Sequence, residues 1–334
     1  MFGSHVLPDG RLLLRCHYMD TDRVFVAGDF SGWAPIDMEP DQDGWWRIVT
    51  APLDPGSYRY RFTTQGTWFS DQFNMRTSPE GRDSLLHVGE GHGHLLRRSF
   101  CSPRLEREKR YCIYLPPGYP HRTDERFPCL VLLPGLLDDE MTWSRRAHVE
   151  HVADRLVAEG RIPRMVIVCP DKDDTMFDEA SWHLYGSYLA DDLLEHLEAT
   201  YRLIPDGSSR AIEGLSLGGA WAIRLAAWHP ERYRSVAGLS CAFSGDLVDV
   251  LTHSATTLAA RQVRFRLAYG HDEGPVLAQA TGSFAGLLRS LGLSCEVSSD
   301  PGPHDWPLWS IQLPHSLAFH AWSFTHTARA ENLP

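Results

Sequence analysis

The chain has 334 residues, 43% of them apolar and 22% charged, and 43 acidic against 32 basic residues leave a net charge of −11. That length exceeds what one hydrophobic core usually supports and predicts two domains. The acidic balance counts against nucleic acid and anionic membrane surfaces as main partners, and no apolar run approaches the roughly 20 residues of a membrane helix.

The first residues, Met1-Phe2-Gly3-Ser4-His5, show no basic stretch followed by an apolar one, so no secretory signal is expected. Seven cysteines without a Cys-x-x-Cys pair read as small buried hydrophobes in a reducing compartment, with cytoplasm as the default. Residues 1–92 are rich in Trp, Tyr and Gly and alternate with period two. Val24-Phe25-Val26-Ala27-Gly28-Asp29-Phe30 and Ser57-Tyr58-Arg59-Tyr60-Arg61-Phe62-Thr63 read as strands, parted by turn clusters such as Asp41-Gln42-Asp43-Gly44 and Asp54-Pro55-Gly56. Short strands without a helical segment predict a small β-sandwich, with Tyr58, Tyr60 and Phe62 on its core face.

A linker is expected at Gly89-Glu90-Gly91-His92-Gly93-His94. Over 93–334, strands at Arg110–Leu115, Cys129–Leu133, Met165–Cys169, Arg210–Gly214, Ser235–Leu239, Val263–Tyr269 and Ser294–Ser298 alternate with helical patterns such as Tyr185–Tyr201 and Val276–Leu291. Continuously apolar strands that alternate with helices predict an α/β domain, a mostly parallel sheet covered on both faces.

Within that domain, Gly214-Leu215-Ser216-Leu217-Gly218-Gly219 joins a predicted strand to a predicted helix. A serine with glycine at both second neighbours in that context is a nucleophile elbow. A serine nucleophile needs a base, an acid and an oxyanion hole. His304, in Gly302-Pro303-His304-Asp305-Trp306, follows the last strand and precedes the last helix, where a loop can reach Ser216. The acid should follow the strand ending at Tyr269, and Gly270-His271-Asp272-Glu273 offers both Asp272 and Glu273. One of them would hold the imidazole, and its neighbour would favour the next helix N-terminus. Leu217 N–H is one oxyanion donor, and the other should lie in Pro134-Gly135-Leu136-Leu137 after the second strand, with Leu136 N–H as the candidate. His148 and His151 share a helix face without a third ligand nearby, so no metal is expected; no organic cofactor is needed either.

Together these segments and Tyr114-Leu115-Pro116-Pro117-Gly118-Tyr119 resemble the esterase group of the α/β-hydrolase superfamily. That group contains enterochelin esterases, feruloyl and acetylxylan esterases, S-formylglutathione hydrolase and the mycolyltransferases. The resemblance covers most of residues 97–325. It implies an α/β-hydrolase fold, a carboxylic ester as small-molecule substrate, and an acid three places after the strand-ending glycine, Glu273, although Asp is commoner there in the group. The ester expected is aromatic, sugar-linked or siderophore-like. The acidic run Asp171-Lys172-Asp173-Asp174-Thr175-Met176-Phe177-Asp178 suits an anionic iron–siderophore poorly. Acyl transfer by the same residues is the alternative chemistry, and a sugar-binding protein on a hydrolase scaffold the alternative class.

Residues 1–92 resemble the glycogen-binding or isoamylase amino-terminal type of immunoglobulin-like module. The likeness lies in Val24–Trp33, Gly56–Phe62 and Gly66–Asp71. It implies that Trp33, Trp68 and Arg61 would grip a carbohydrate ligand, while a structural or substrate-shaping role is the expected one.

Overall fold

The computed structural model describes residues 3–78 and 80–326. The chain forms two compact units, the first holding the sequence through Arg98 with Cys112–Glu125, the second Ser99–Tyr111 with the sequence from Arg126 onward.

The first unit carries two antiparallel sheets. One orders β1 (His5–Val6), β2 (Leu12–His17), β6 (Trp45–Val49) and β5 (Glu39–Pro40). The other orders β4 (Ile36–Asp37), β3 (Phe25–Gly28), β7 (Gly56–Thr64) and β8 (Thr67–Phe69), while β9 (Ser84–Val88) pairs with the first half of β7. Period-two alternation sorts the long β7: Tyr60 and Phe62 are buried against Leu12, Leu14, Val24, Val26 and Trp46, with Tyr58 partly buried against them. Arg59 and Arg61 fall on the other face. The strand expected over residues 24–30 stops at Gly28, because a 3₁₀ turn, Asp29–Ser31, takes over.

An eight-stranded sheet is ordered β10 (His94–Ser102), β11 (Arg107–Leu115), β13 (Val166–Pro170), β12 (Cys129–Leu133), β14 (Arg210–Leu215), β15 (Ser235–Leu239), β16 (Arg264–Gly270) and β17 (Ser294–Asp300), and its strands β12 to β17 lie wholly in the second unit. From β13 to β17 every pairing is parallel. Strands β12 to β15 are buried along their whole length, whereas the edge strand β17 is half exposed. This is the pattern of a parallel sheet covered on both faces. The covering helices are α1 (Thr142–Ala147), α2 (Val149–Ala158), α3 (Trp182–Ser187), α4 (Leu194–Thr200), α5 (Leu217–Trp228), α6 (Gly245–Ala260), α7 (Pro275–Ser290) and α8 (Trp306–Thr325).

Two expectations shift. Strand β10 begins at His94, inside the stretch expected as linker. The helix expected over Tyr185–Tyr201 starts at Trp182 and widens into a π-helical segment, Tyr188–Leu193. Within it Arg232 donates to the Ala190 carbonyl, and the buried Asp192 carboxylate accepts the Ser102 hydroxyl at 2.5 Å.

The strand order reverses between β12 and β14, since the chain leaves β12 for β13 on one side and returns to β14 on the other. Such a reversal opens a crevice outside the carboxyl ends of the two strands. The elbow and the Gly135 loop both sit there. Among the described residues no helix is long and apolar enough to cross a membrane.

Candidate active site

Ser216 stands alone between the end of β14 and the start of α5, at φ 52° and ψ −118°. A non-glycine residue at positive φ is strained and persists only where its surroundings over-determine it. Here its N–H donates to Leu239 C=O at 2.7 Å, and its C=O accepts Ala242 N–H at 3.1 Å, both from the end of β15. The flanking glycines answer to backbone approach. A Cβ on Gly214 would lie 2.3 Å from the Gly218 carbonyl, and one on Gly218 would lie 2.4 Å from Pro134 O. Strand, helix and the neighbouring loop therefore meet with no room for a side chain. Leu217 is the first residue of α5, so its N–H lacks an intrahelical partner, and the helix dipole adds positive potential there.

Glu273 lies in the 3₁₀ turn after β16 and His304 in the loop after β17. His304 Nδ1 and Glu273 Oε1 are 2.5 Å apart. A carboxylate only accepts, so Nδ1 carries the proton and Nε2 is left as the basic atom. Glu273's other oxygen accepts the Gly270 N–H and the Ser240 hydroxyl, the latter at 3.0 Å. Burial pushes the Glu273 carboxyl up, but the His304, Gly270 and Ser240 hydrogen bonds outweigh it and hold the group below its ordinary value. The Glu273 side chain is 1% exposed and that of His304 46%, so the acid is sealed while the imidazole faces solvent. Trp309 packs edge-on to the imidazole at 5.1 Å and donates its indole N–H to Ser240 Oγ at 3.0 Å.

Leu136 follows β12 and is half exposed. Among the described residues neither its N–H nor that of Leu217 has an acceptor, and the Ser216 hydroxyl and His304 Nε2 likewise have no partner. Around Leu136 the loop is tied at several points. Gly135 N–H donates to Asp138 Oδ2 at 3.1 Å, and Trp306 Nε1 donates to Asp138 Oδ1 at 3.1 Å. Lys172 Nζ donates to the carbonyls of Leu136 and Asp138, each at 2.6 Å. Burial pushes the Asp138 carboxyl up, with Trp306, Gly135 and Lys172 offsetting it only in part.

Asp272, the other acid read from the sequence, is exposed, and its side chain makes no hydrogen bond among the described residues. Asp138, Lys172, Ser240, Trp306 and Trp309 were missed by the sequence reading. Trp306 ends the segment that carries His304 and Lys172 lies in the acidic run, but neither position signals its partner, and each of the five has a partner distant in the chain. The acidic run after β13 is partly neutralised in place: Asp171 pairs with Arg110 at 3.0 Å and Asp173 with Lys109 at 3.1 Å, while the exposed Asp178 caps the following turn by accepting Ala180 N–H. It offers less free negative charge than its composition implies. Among the described residues no group of three or more metal-ligating side chains occurs; the His148 and His151 rings lie 6.0 Å apart at a tilt of 47°, and His151 Nε2 is 3.6 Å from Glu150 Oε1.

In the first unit, Trp68 pairs across from Thr63 and shares the face of Arg61. The Arg61 guanidinium lies 5.7 Å from the Trp68 ring centre, and Arg59 lies 5.8 Å from that of Trp33. Each indole thus already carries a cation from its own sheet.

The model of a family described as "Putative esterase" matches residues 102–320, more than half of the chain. An endo-1,4-beta-xylanase/feruloyl esterase of Xylanibacter ruminicola is 23% identical over 250 residues, which is 68% of this chain and 34% of that protein. The chain spans about a third of the length of the curated relatives it matches. Among solved structures, a ferulic acid esterase superposes with a TM-score of 0.64 at 26% identity, covering 70% of this chain and 99% of that one. The ferric enterobactin esterase of Salmonella typhimurium is similar in fold, with a TM-score of 0.57 at 19% identity over 95% of this chain and 96% of that one.

Proposed function

The chain belongs to the esterase family, and on that premise we propose that it hydrolyses carboxylic esters through an acyl-enzyme on Ser216. His304 Nε2 takes the serine proton as Oγ attacks the ester carbonyl. Glu273 holds the imidazole in the required tautomer and stabilises its positive charge. The N–H groups of Leu217 and Leu136 stabilise the tetrahedral oxyanion, and the imidazolium returns its proton to the leaving alcohol. Water then repeats the sequence on the acyl-enzyme. Every residue in this scheme is protein; it calls for neither metal nor organic cofactor.

The observation that carries the reading is the commitment of Glu273. A sealed carboxylate, held on one oxygen by Gly270 and Ser240, spends the other on an exposed histidine. A structural carboxylate could be held as well by a buried donor, whereas a catalytic one needs a partner that is itself open to substrate. For the acyl group we favour an aromatic acid esterified to a sugar, the feruloyl type that two of the similar proteins carry in their names. The likeness to the enterobactin esterase is one of fold, so the siderophore ester is the weaker reading.

We read the first unit as an immunoglobulin-like accessory module. The arginines lying over Trp33 and Trp68 compete with a sugar ring for the indole faces, which supports a structural role over carbohydrate binding. The deciding experiment is turnover of a p-nitrophenyl ester panel extended with feruloyl and acetyl sugar esters, for the wild type and Ser216→Ala. Ser216-dependent turnover fastest on feruloyl sugars supports the reading. Absence of Ser216-dependent ester turnover refutes it.

A further inference from the structure

Asp138 and Trp306 are 168 residues apart in sequence, yet one carboxylate joins them across the site. Its role starts from Gly135. A peptide plane carries the N–H of one residue antiparallel to the C=O of the residue before it, so the Leu136 N–H and the Gly135 C=O are fixed together. Asp138 grips Gly135 on both sides. Its backbone N–H donates to Gly135 C=O at 3.3 Å, and its Oδ2 accepts Gly135 N–H at 3.1 Å. A Cβ on Gly135 would come within 2.8 Å of that same Oδ2, so the carboxylate occupies the space a side chain would need. Lys172 then fixes the following planes through the carbonyls of Leu136 and Asp138.

The remaining oxygen, Oδ1, leaves the loop and accepts the indole N–H of Trp306, two residues past His304. Trp306 meets Trp309 edge-on at 5.4 Å, and Trp309 in turn meets His304 at 5.1 Å and donates to the serine that holds Glu273. Capping the Gly135 turn needs only one carboxylate oxygen. The second serves the histidine-bearing segment.

We propose that Asp138 is a positioning residue that braces the Leu136 oxyanion donor and the His304 segment against each other as one unit. This rests on the esterase reading above. The brace has two arms, Gly135 and Trp306, and the arms are separable by mutation.

The test uses the full chain with Asp138→Ala, Asp138→Asn, Trp306→Phe and the Asp138→Ala/Trp306→Phe double variant. It reads kcat and KM on a p-nitrophenyl ester, the Ki of phenylboronic acid as a tetrahedral adduct on serine, and the thermal midpoint. Direct loss of an oxyanion donor lowers kcat by roughly 10²–10³; displacement of an intact donor is a smaller effect, so Asp138→Ala should lower kcat about 10- to 50-fold. KM should stay within about threefold, and the boronate Ki should rise in step with the fall in kcat/KM. Asp138→Asn keeps one acceptor and should fall between Ala and wild type. Trp306→Phe should lose less than Asp138→Ala, and the double variant should be no worse than Asp138→Ala alone. Should Asp138→Ala fail to fold, Asp138→Asn at a wild-type midpoint decides by the same ranking. Wild-type kcat and Ki in a folded Asp138 variant overturn the brace, as does a loss confined to KM or full additivity with Trp306→Phe. A wild type with no Ser216-dependent turnover removes the esterase reading and the brace together; an active wild type indifferent to Asp138 removes the brace alone.

Discussion

Glu273→Gln isolates what the sealed carboxylate does, because the substitution preserves shape and removes only charge and one acceptor. In the wild type, Oε1 accepts from His304 Nδ1 while Oε2 accepts from Gly270 N–H and Ser240 Oγ. Glutamine has a single acceptor oxygen. If that oxygen stays with Gly270 and Ser240, the amide NH₂ faces Nδ1, which must then lose its proton and accept. The proton moves to Nε2, and the imidazole can no longer take one from Ser216. If the amide flips, its NH₂ meets the Gly270 N–H, two donors in a site where the side chain is 1% exposed. Keeping the backbone donor satisfied is the cheaper arrangement, so the wrong tautomer should dominate. A tautomer error of this kind lowers kcat by about 10⁴, equal to about 5.4 kcal/mol at about 1.36 kcal/mol per decade. The assay is ester turnover beside Asp272→Asn, which alters an exposed side chain and should leave kcat within about threefold. More than a tenth of wild-type turnover in Glu273→Gln, or a larger loss in Asp272→Asn, refutes the assignment. The pH dependence supplies a second check. Because the folded carboxyl is held below its ordinary value of 4.5, its stabilisation is complete above that value and is lost as pH falls through the lower folded pKa. Glu273→Gln should therefore flatten the acid limb of thermal stability below pH 4.5 and leave the neutral region's slope unchanged.

Ser216→Ala should keep the wild-type thermal midpoint, since the Ser216 hydroxyl has no hydrogen bond to lose among the described residues and the backbone bonds to Leu239 and Ala242 remain; turnover should fall at least ~10³-fold, and labelling by an organophosphonate should disappear. Gly218→Ala should fold poorly or lower the midpoint by several degrees, because its Cβ would stand 2.4 Å from Pro134 O, backbone that cannot yield locally; a midpoint equal to wild type would show that the elbow is looser than described. Trp33→Ala/Trp68→Ala should leave retention on glycogen or soluble starch unchanged and low, given the arginines already over both indoles. Clear, tryptophan-dependent retention would instead make the first unit a sugar-binding module.

The parts of the site legible in the sequence were those set by local geometry. The elbow could be read because its glycines answer to contacts made within a few residues and with one adjacent strand, so the spacing itself records the constraint. Buried parallel strands were legible for a similar reason: β12 and β15 fall on the expected residues because nothing polar interrupts them. The acid was a narrower matter. Asp272 and Glu273 are adjacent in one 3₁₀ turn, where each step rotates a side chain by about 120°, and only the position of Ser240 and His304 decides which one turns inward. Ser240 gave no warning, although it sits at φ 49° directly after β15. Asp138 was hidden more deeply. Its donors are a glycine N–H and an indole N–H, and neither leaves a residue-type signature at a fixed spacing. The proposed nucleophile can be recognised from its own turn, but the groups proposed to aim the rest of the machinery are recruited from wherever the sheet order brings strand ends together. Here β12, β15, β16 and β17 each deliver one such group at the carboxyl edge: Asp138, Ser240, Glu273 and His304. Reading them required the strand order first, because adjacency in the sheet, not in the chain, determines which carboxylate meets which donor.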